Sequence, residues 1–170
     1  ILVPVNILNT FEAPEFVTYM GSSLEDILIE VENGEQLENN YEKVKQVLKS
    51  DNEIKYYYEY RRVIAKTTDA DGQITNIHID NGVYSGNDLK YISGIAPKSE
   101  NEIAVSYLNA EKIEKNTGDK ILLLFNDMER EFVISGIYQD VTSGGFTAKS
   151  KYDFSELKPV KYSFSINLSD

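Results

Sequence analysis

The sequence predicts an α+β fold, in which a strand–helix–strand unit precedes a series of short strands. Residues 24–31 alternate apolar side chains at a period of two, and residues 35–49 carry an apolar stripe at a period of 3.6. Residues 54–66 are rich in β-branched and aromatic side chains, which favour a strand. If both strands share a sheet, the helical connection between them is expected to be right-handed.

The helix at residues 35–49 is the clearest element. Acidic residues lie near its start and lysines near its end, an arrangement that complements the helix dipole. A helical turn is also expected after Pro14. The apolar stripe of the helix consists of Leu37, Tyr41, Val44, Val47 and Leu48.

The rest of the chain is predicted to be mostly β. Asp71-Gly72 lies between two strand-like runs and indicates a hairpin with a type I′ turn, which returns through residues 73–80. Residues 81–96 are expected to be irregular and residues 142–150 to form a flexible loop. The remaining predictions are strands at 103–105, 120–125, 129–140 and 161–168, a helix at 107–115 with Ser106 as its N-cap, and a turn at Asn126-Asp127.

Composition excludes several classes of function. The 170 residues include 17 Lys and Arg against 28 Asp and Glu, a net charge of −11 that argues against nucleic acid as a partner. The chain has no cysteine, so disulfides, thiolate metal sites and cysteine nucleophiles are excluded. The uncharged run at residues 1–8 is either a buried strand or the outer end of a transmembrane helix.

Three motifs between Tyr91 and Asp140 resemble the extracytoplasmic domains of FtsX/MacB-like ABC transporter permeases. The first leads from Gly94 and Pro97 into the run Asn101, Glu102, Ile103, Ala104, Val105, Ser106. The second is Gly118-Asp119 followed by the apolar run 121–125, and the third is the strand that contains Phe132, Val133, Ile134, Gly136 and Ile137. The order and spacing of the three motifs carry the resemblance more than any one of them.

The resemblance implies two lobes. Residues 18–66 and 159–170 correspond to a membrane-proximal α/β lobe whose second half is incomplete, and residues 67–158 correspond to an inserted, β-rich distal lobe. Residues 1–17 correspond to a stalk that follows a transmembrane helix.

The resemblance also implies a function without catalysis. Such a domain lies on the extracytoplasmic side of the cell membrane and has no cofactor, because ATP is hydrolysed by a separate subunit. Its expected partners are the transmembrane helices of its own permease, the ATP-binding subunit, and a second permease or a cell-envelope protein. The expected outcome is export or extraction of a peptide or lipid-like compound, or activation of an envelope partner.

A tyrosine-rich strand offers the main candidate surface. Tyr56, Tyr58 and Tyr60 face one way along the strand and Tyr57 the other. An exposed aromatic row binds a partner, a peptide or a glycan, which defines the alternative function of a ligand-binding or sensing module. The plainer interpretation, which the sequence favours, is that the row packs against the helix at 35–49. Phe146 in the 142–150 loop is a second candidate contact for a partner.

Reactive groups give weaker signals. His78 is the only histidine, no serine lies in a nucleophile-elbow motif, and the sequence favours a surface strand position for His78 over a hydrolase triad. Asp69, Asp71 and Gly72 lack the spacing of a calcium-binding EF-hand loop and are better explained by the hairpin turn. The loop at 142–150 lacks the phosphate-binding P-loop spacing.

Overall fold

Nine strands form one hydrogen-bonded sheet in the part of the chain that the computed structural model describes, residues 10–11, 13–21, 24–32, 34–83 and 89–169. The predicted α+β class is confirmed, whereas the apolar run at residues 1–8 lies outside the described residues. The elements are α1 (Pro14–Tyr19), β1 (Ile27–Glu32), α2 (Leu37–Ser50), β2 (Ile54–Thr68), β3 (Ile74–Gly82), β4 (Tyr91–Gly94), β5 (Glu102–Ser106), α3 (Tyr107–Ile113), β6 (Lys120–Phe125), β7 (Met128–Tyr138), a 3₁₀ turn (Thr142–Gly145), β8 (Thr147–Ser150) and β9 (Lys161–Leu168).

The predicted strand–helix–strand unit is built around a strand from the far end of the chain. β9 lies between β1 and β2 and is antiparallel to both, so that Ile166 is opposite Ile27 on one side and Tyr57 on the other. Helix α2 covers one face of these three strands. The buried residues between them, which we call the helix-side core, are Val31, Leu37, Tyr41, Leu48, Tyr162, Phe164 and Ile166.

Six strands form a closed circuit, and β4 pairs with β7 outside it. Their pairings run from β2 through β3, β8, β5, β7 and β6 and return to β2, where Lys66 lies opposite Leu124. The apolar residues inside this circuit, which we call the circuit core, include Val63, Ile77, Ile79, Ile103, Val105, Ile121, Leu123, Phe132, Ile134, Ala148 and Phe154. β2 therefore contributes to both cores, the helix-side core through its first half and the circuit core through its second.

The two hairpins use different turns. At the β6–β7 turn, Asn126 and Asp127 both adopt positive φ, 46° and 59°, as a two-residue turn of type I′ requires. The β2–β3 hairpin is confirmed, but the predicted type I′ turn at Asp71-Gly72 is wrong. There, five residues separate Thr68 from Ile74, and the Asp69 carboxylate accepts hydrogen bonds from the backbone N–H groups of residues 71 and 73.

Helix α3 begins where its N-cap predicts. Ser106 Oγ accepts a hydrogen bond from the N–H of Asn109 at 3.3 Å. The helix ends at Ile113, earlier than the predicted residue 115, because Glu114 adopts the left-handed conformation at φ 49°.

Two segments that the sequence predicts as irregular are partly strands. Within residues 81–96, β4 pairs with β7. Within residues 142–150, β8 inserts between β3 and β5, and Thr147 and Ser150 are fully buried. Hydrogen bonds hold the polar strand in place: Asn109 Nδ2 donates to the carbonyl of Thr147 at 2.8 Å, and Thr147 Oγ1 donates to Asp140.

Close backbone contact at Gly94 yields a stability prediction. Gly94 has φ +72°, and a Cβ there would lie 2.2 Å from the carbonyl oxygen of Ser135 on β7. We expect Gly94→Ala to lower the free energy of unfolding by roughly 3 kcal/mol, from positive-φ strain and overpacking together. Gly72→Ala, at φ +77° with nothing within 4 Å, is the matched control and should lose only about 1 kcal/mol from strain. Equal losses for the two variants in urea unfolding would contradict the steric explanation.

Candidate functional site

Side chains on β2 alternate between the face that α2 covers and the opposite face. Tyr57 packs on Phe164 with ring centroids 6.1 Å apart, and Glu59 accepts a hydrogen bond from Tyr41 of α2. The interpretation that the tyrosine row packs against the helix is therefore wrong, because the tyrosine on that side is Tyr57. The residues on the opposite face are Tyr56, Tyr58 and Tyr60.

These three tyrosines and the residues opposite them on β9 form a surface that we call the tyrosine face. The β9 residues are Asn167, Ser165 and Ser163, in the order that matches Tyr56, Tyr58 and Tyr60. Tyr56 is 46% exposed, and its ring meets that of Tyr58 edge-on with centroids 5.5 Å apart. The ring of Tyr60 lies across Gly82, where a Cβ would come within 2.5 Å of it. The surface thus offers partly exposed aromatic rings beside the partly exposed side chains of Ser163 and Asn167, whereas Ser165 is buried.

Phe146 lies apart from the tyrosine face. It precedes Thr147, which is opposite His78, and Gly82, the partner of Tyr60, lies four residue steps beyond His78 along β3. At about 3.3 Å per residue, this places Phe146 roughly 13 Å or more from Tyr60 along the sheet.

Leu108 and Lys112 lie close to Phe146. Phe146 and Leu108 are 38% and 39% exposed, and the two side chains flank Gly145, where a Cβ would lie 2.7 Å from Leu108 Cδ1. Lys112 Nζ lies 5.4 Å from the centroid of the Phe146 ring, within the range of a cation–π contact.

A charged cluster that was not predicted from the sequence borders the tyrosine face. Arg62 follows Tyr60 on the same face of β2 and binds Asp80 through Nε at 2.6 Å and Nη2 at 2.8 Å, while Lys149 Nζ lies 3.8 Å from Asp80 Oδ2. Burial raises the pKa of Asp80, but the Arg62 hydrogen bond and the nearby Lys149, Arg62 and Lys161 charges outweigh it, so the pKa lies below its usual value. The only sequence signal is the hairpin register, which sets Arg62 opposite Asp80.

The other predicted reactive groups are not assembled into a site. His78 is a half-buried residue of β3 between Ile64 of β2 and Thr147 of β8. Asp69 and the turn it caps are accounted for by backbone hydrogen bonds. Among the described residues, no three His, Cys, Asp or Glu side chains lie together in a way that could hold a metal ion. In the same ranges, no helix has the length and apolar character needed to cross a membrane.

Comparison of folds gives the decisive observation. The extracellular domain of the ABC-type transporter YknZ from Gram-positive bacteria matches with a TM-score of 0.51 and 13% identity, over 84% of this chain and 82% of that domain. The periplasmic region of MacB from Actinobacillus actinomycetemcomitans matches with a TM-score of 0.50 and 11% identity, over 86% and 77%. This chain has the fold of such permease domains.

A third solved structure also has a similar fold. A domain of a protein described as a permease, from Porphyromonas gingivalis, matches with a TM-score of 0.52 and 10% identity, over 74% of this chain. The match spans 61% of that domain's own length. No protein-family model and no curated protein matches the sequence. The resemblance to extracytoplasmic permease domains is thus confirmed at the level of the fold.

The single histidine of this permease-like fold yields a pH prediction. Burial lowers the pKa of His78, the Arg62 charge lowers it further, and Asp80 opposes both effects only partly. The unfolded chain therefore binds a proton near pH 6.5 that the folded chain does not yet bind, so His78 destabilises the fold as the pH falls through that value. We expect His78→Gln to lose less stability than the wild type between pH 7 and pH 5 in urea unfolding. Parallel stability curves for the two proteins would contradict the assigned pKa direction.

Proposed function

We propose that this chain is the extracytoplasmic domain of an ABC transporter permease and that it works without catalysing a reaction. The observation that carries the proposal is the fold shared with the YknZ extracellular domain over 84% of this chain. The fold likeness to the MacB periplasmic region supports the same assignment. The proposed location is the outer side of the cell membrane.

We infer a division into two lobes. Residues 18–66 and 159–170 form the proposed membrane-proximal lobe, residues 67–158 the distal lobe, and residues 1–17 a stalk. The two cores support this division except at β2, because the helix-side core draws on β1, α2 and β9, while the circuit core draws mainly on residues 74–157 and also on Val63 and Ala65 of β2. Among the described strands, β1 pairs only with β9, the strand that begins the second half of the proposed proximal lobe.

The proposed mechanism is mechanical. ATP binding and hydrolysis in a separate subunit move the transmembrane helices of the permease, and this domain relays that motion to the outer side. The result is export or extraction of a peptide or lipid-like compound, or activation of an envelope partner. The tyrosine face and Phe146 are the proposed contacts with a second permease or an envelope protein, because both expose aromatic rings.

Coupling between ATP hydrolysis and output tests this proposal in the intact transporter. We expect Tyr58→Ala and Phe146→Ala to reduce transport or partner activation at least fivefold while ATP hydrolysis continues, because the variants lose partner contacts and not the ATPase. Ile74→Ala removes an equally apolar side chain that is 67% exposed at the β2–β3 hairpin and serves as the matched control. Full transport or partner activation in the two aromatic variants would contradict their role as contacts. If no variant of this domain reduced ATP-dependent output, the relay would be contradicted.

The second candidate function is binding of a peptide or glycan by the tyrosine face. The observation that favours it is that Tyr56, Tyr58 and Tyr60 lie on the sheet face away from α2, beside the polar side chains of β9. Aromatic rings next to hydroxyl groups suit both stacking and hydrogen bonding to such ligands.

A binding assay on this chain separates the two candidates. We expect Tyr58→Ala to weaken binding of a soluble peptidoglycan fragment or a peptide antibiotic at least tenfold, since the central ring of the row is removed. Tyr57→Phe, which alters the neighbouring tyrosine on the covered face, should leave affinity unchanged. Absence of measurable binding by the wild-type chain in calorimetry would remove this candidate.

A further inference from the structure

One arginine lies between the two cores. Along the face of β2 that points toward the cores, Tyr57 belongs to the helix-side core and Val63 to the circuit core, with Glu59 and Arg61 between them. Arg61 is opposite Tyr162, a helix-side core residue that stacks on Tyr41 with centroids 4.0 Å apart. The apolar stripe of β2 is thus interrupted at the point where the two cores meet.

The same arginine binds the segment that joins β8 to β9, residues 151–160, which we call the strap. Arg61 Nη1 donates to the carbonyl of Phe154 at 2.8 Å, and Nη2 donates to the carbonyls of Ser155, at 3.3 Å, and of Leu157. A planar guanidinium can reach several acceptors at once, whereas a lysine ammonium lacks this fixed fork.

The strap itself belongs to the circuit core. Phe154 and Leu157 are buried there, and the Phe154 ring lies 5.3 Å from that of Phe125. Two other side chains hold the strap through its carbonyls: Asn81 Nδ2 donates to Tyr152 at 2.6 Å, and Asn126 Nδ2 donates to Glu156 at 3.0 Å. Only Arg61, of the three, also lies beside the helix-side core.

We propose that the Arg61 guanidinium, by clamping the strap, locks the helix-side core and the circuit core into one cooperative unit. The strap leads directly into β9, the central strand of the helix-side unit, and the N–H of Val160 donates to the carbonyl of Arg62 at 2.9 Å. A displacement of one core is therefore transmitted to the other through β2 and through the strap together. The inference rests on the proposed two-lobed relay. It assigns the rigid connection between the two cores to the side chain of Arg61.

Native-state hydrogen exchange of the 170-residue chain tests the clamp. In the wild type, we expect the amides of Phe164 and Ile166 in one core and of Ile77 and Ile79 in the other to merge onto one unfolding transition as denaturant is added. In Arg61→Ala, exchange at Phe164 and Ile166 should become at least tenfold faster, while Ile77 and Ile79 stay within twofold of the wild type. Arg61→Lys should behave like Arg61→Ala, because lysine keeps the positive charge but lacks the planar guanidinium group that binds several carbonyls at once.

The control is Lys66→Ala, which removes an exposed positive charge from the same strand and should leave both sets of amides unchanged. Separate transitions for the two cores in the wild type would overturn the proposal, even if the Arg61 variants failed to fold. Equal acceleration of both sets in Arg61→Lys would overturn it as well. The measurement involves no ATPase subunit, so a negative result leaves the permease assignment standing, and a failed transport assay leaves the clamp standing.

Discussion

A single long strand organises this protein. β2 runs for fifteen residues, from Ile54 to Thr68, pairs with β9 along its first half and with β3 along its second, and contacts β6 near its end. The side chains on its inward face therefore change from the helix-side core to the circuit core without a break in the backbone. β3, β6 and β9 pair with β2 directly, and β1, β7 and β8 pair with those strands.

The outer face of β2 shows how an acidic chain accommodates buried charge. Arg62, Asp80 and Lys149 are each less than 15% exposed, a situation that is costly unless the charges compensate one another. The bidentate contact between Arg62 and Asp80 supplies that compensation. The buried hydroxyl of Tyr138 forms a hydrogen bond with Thr147 Oγ1. Burial raises the pKa of Tyr138 well above its usual value. The charges of Arg62, Asp80 and Lys149 thus compensate one another within the folded chain.

Local patterns in the sequence predicted most elements. The continuous apolar run at residues 120–125 and the alternation at 161–168 both correspond to strands with those bounds, and the stripe from Leu37 to Leu48 corresponds to the helix on the sheet. These elements bury an apolar face whose period is visible without knowledge of the partner. The resemblance to permease domains rested on the motifs between Tyr91 and Asp140, and the fold comparison bears it out.

The features that were not predicted correctly from the sequence all depend on pairing between residues that are far apart in the chain. β8 is a strand because β3 and β5 lie on either side of it and Asn109 binds its backbone, none of which its own polar sequence records. The side of the sheet that α2 covers depends on β9, so the orientation of the tyrosine row could not be decided from local alternation alone. The charged cluster of Arg62, Asp80 and Lys149 likewise forms across three strands.

The position of β9 has a consequence for how the chain folds. β1 and β2 do not pair with each other and meet only through β9, so the first strand–helix–strand unit cannot complete its sheet until β9, at residues 161–168, has been synthesised. Ser165 and Glu25 are in contact although they are 140 residues apart in the sequence. Forming such contacts costs loop-closure entropy, which raises the free-energy barrier to folding. β1 and β2 therefore have unpaired edges until β9 is present, and such edges expose the nascent chain to aggregation.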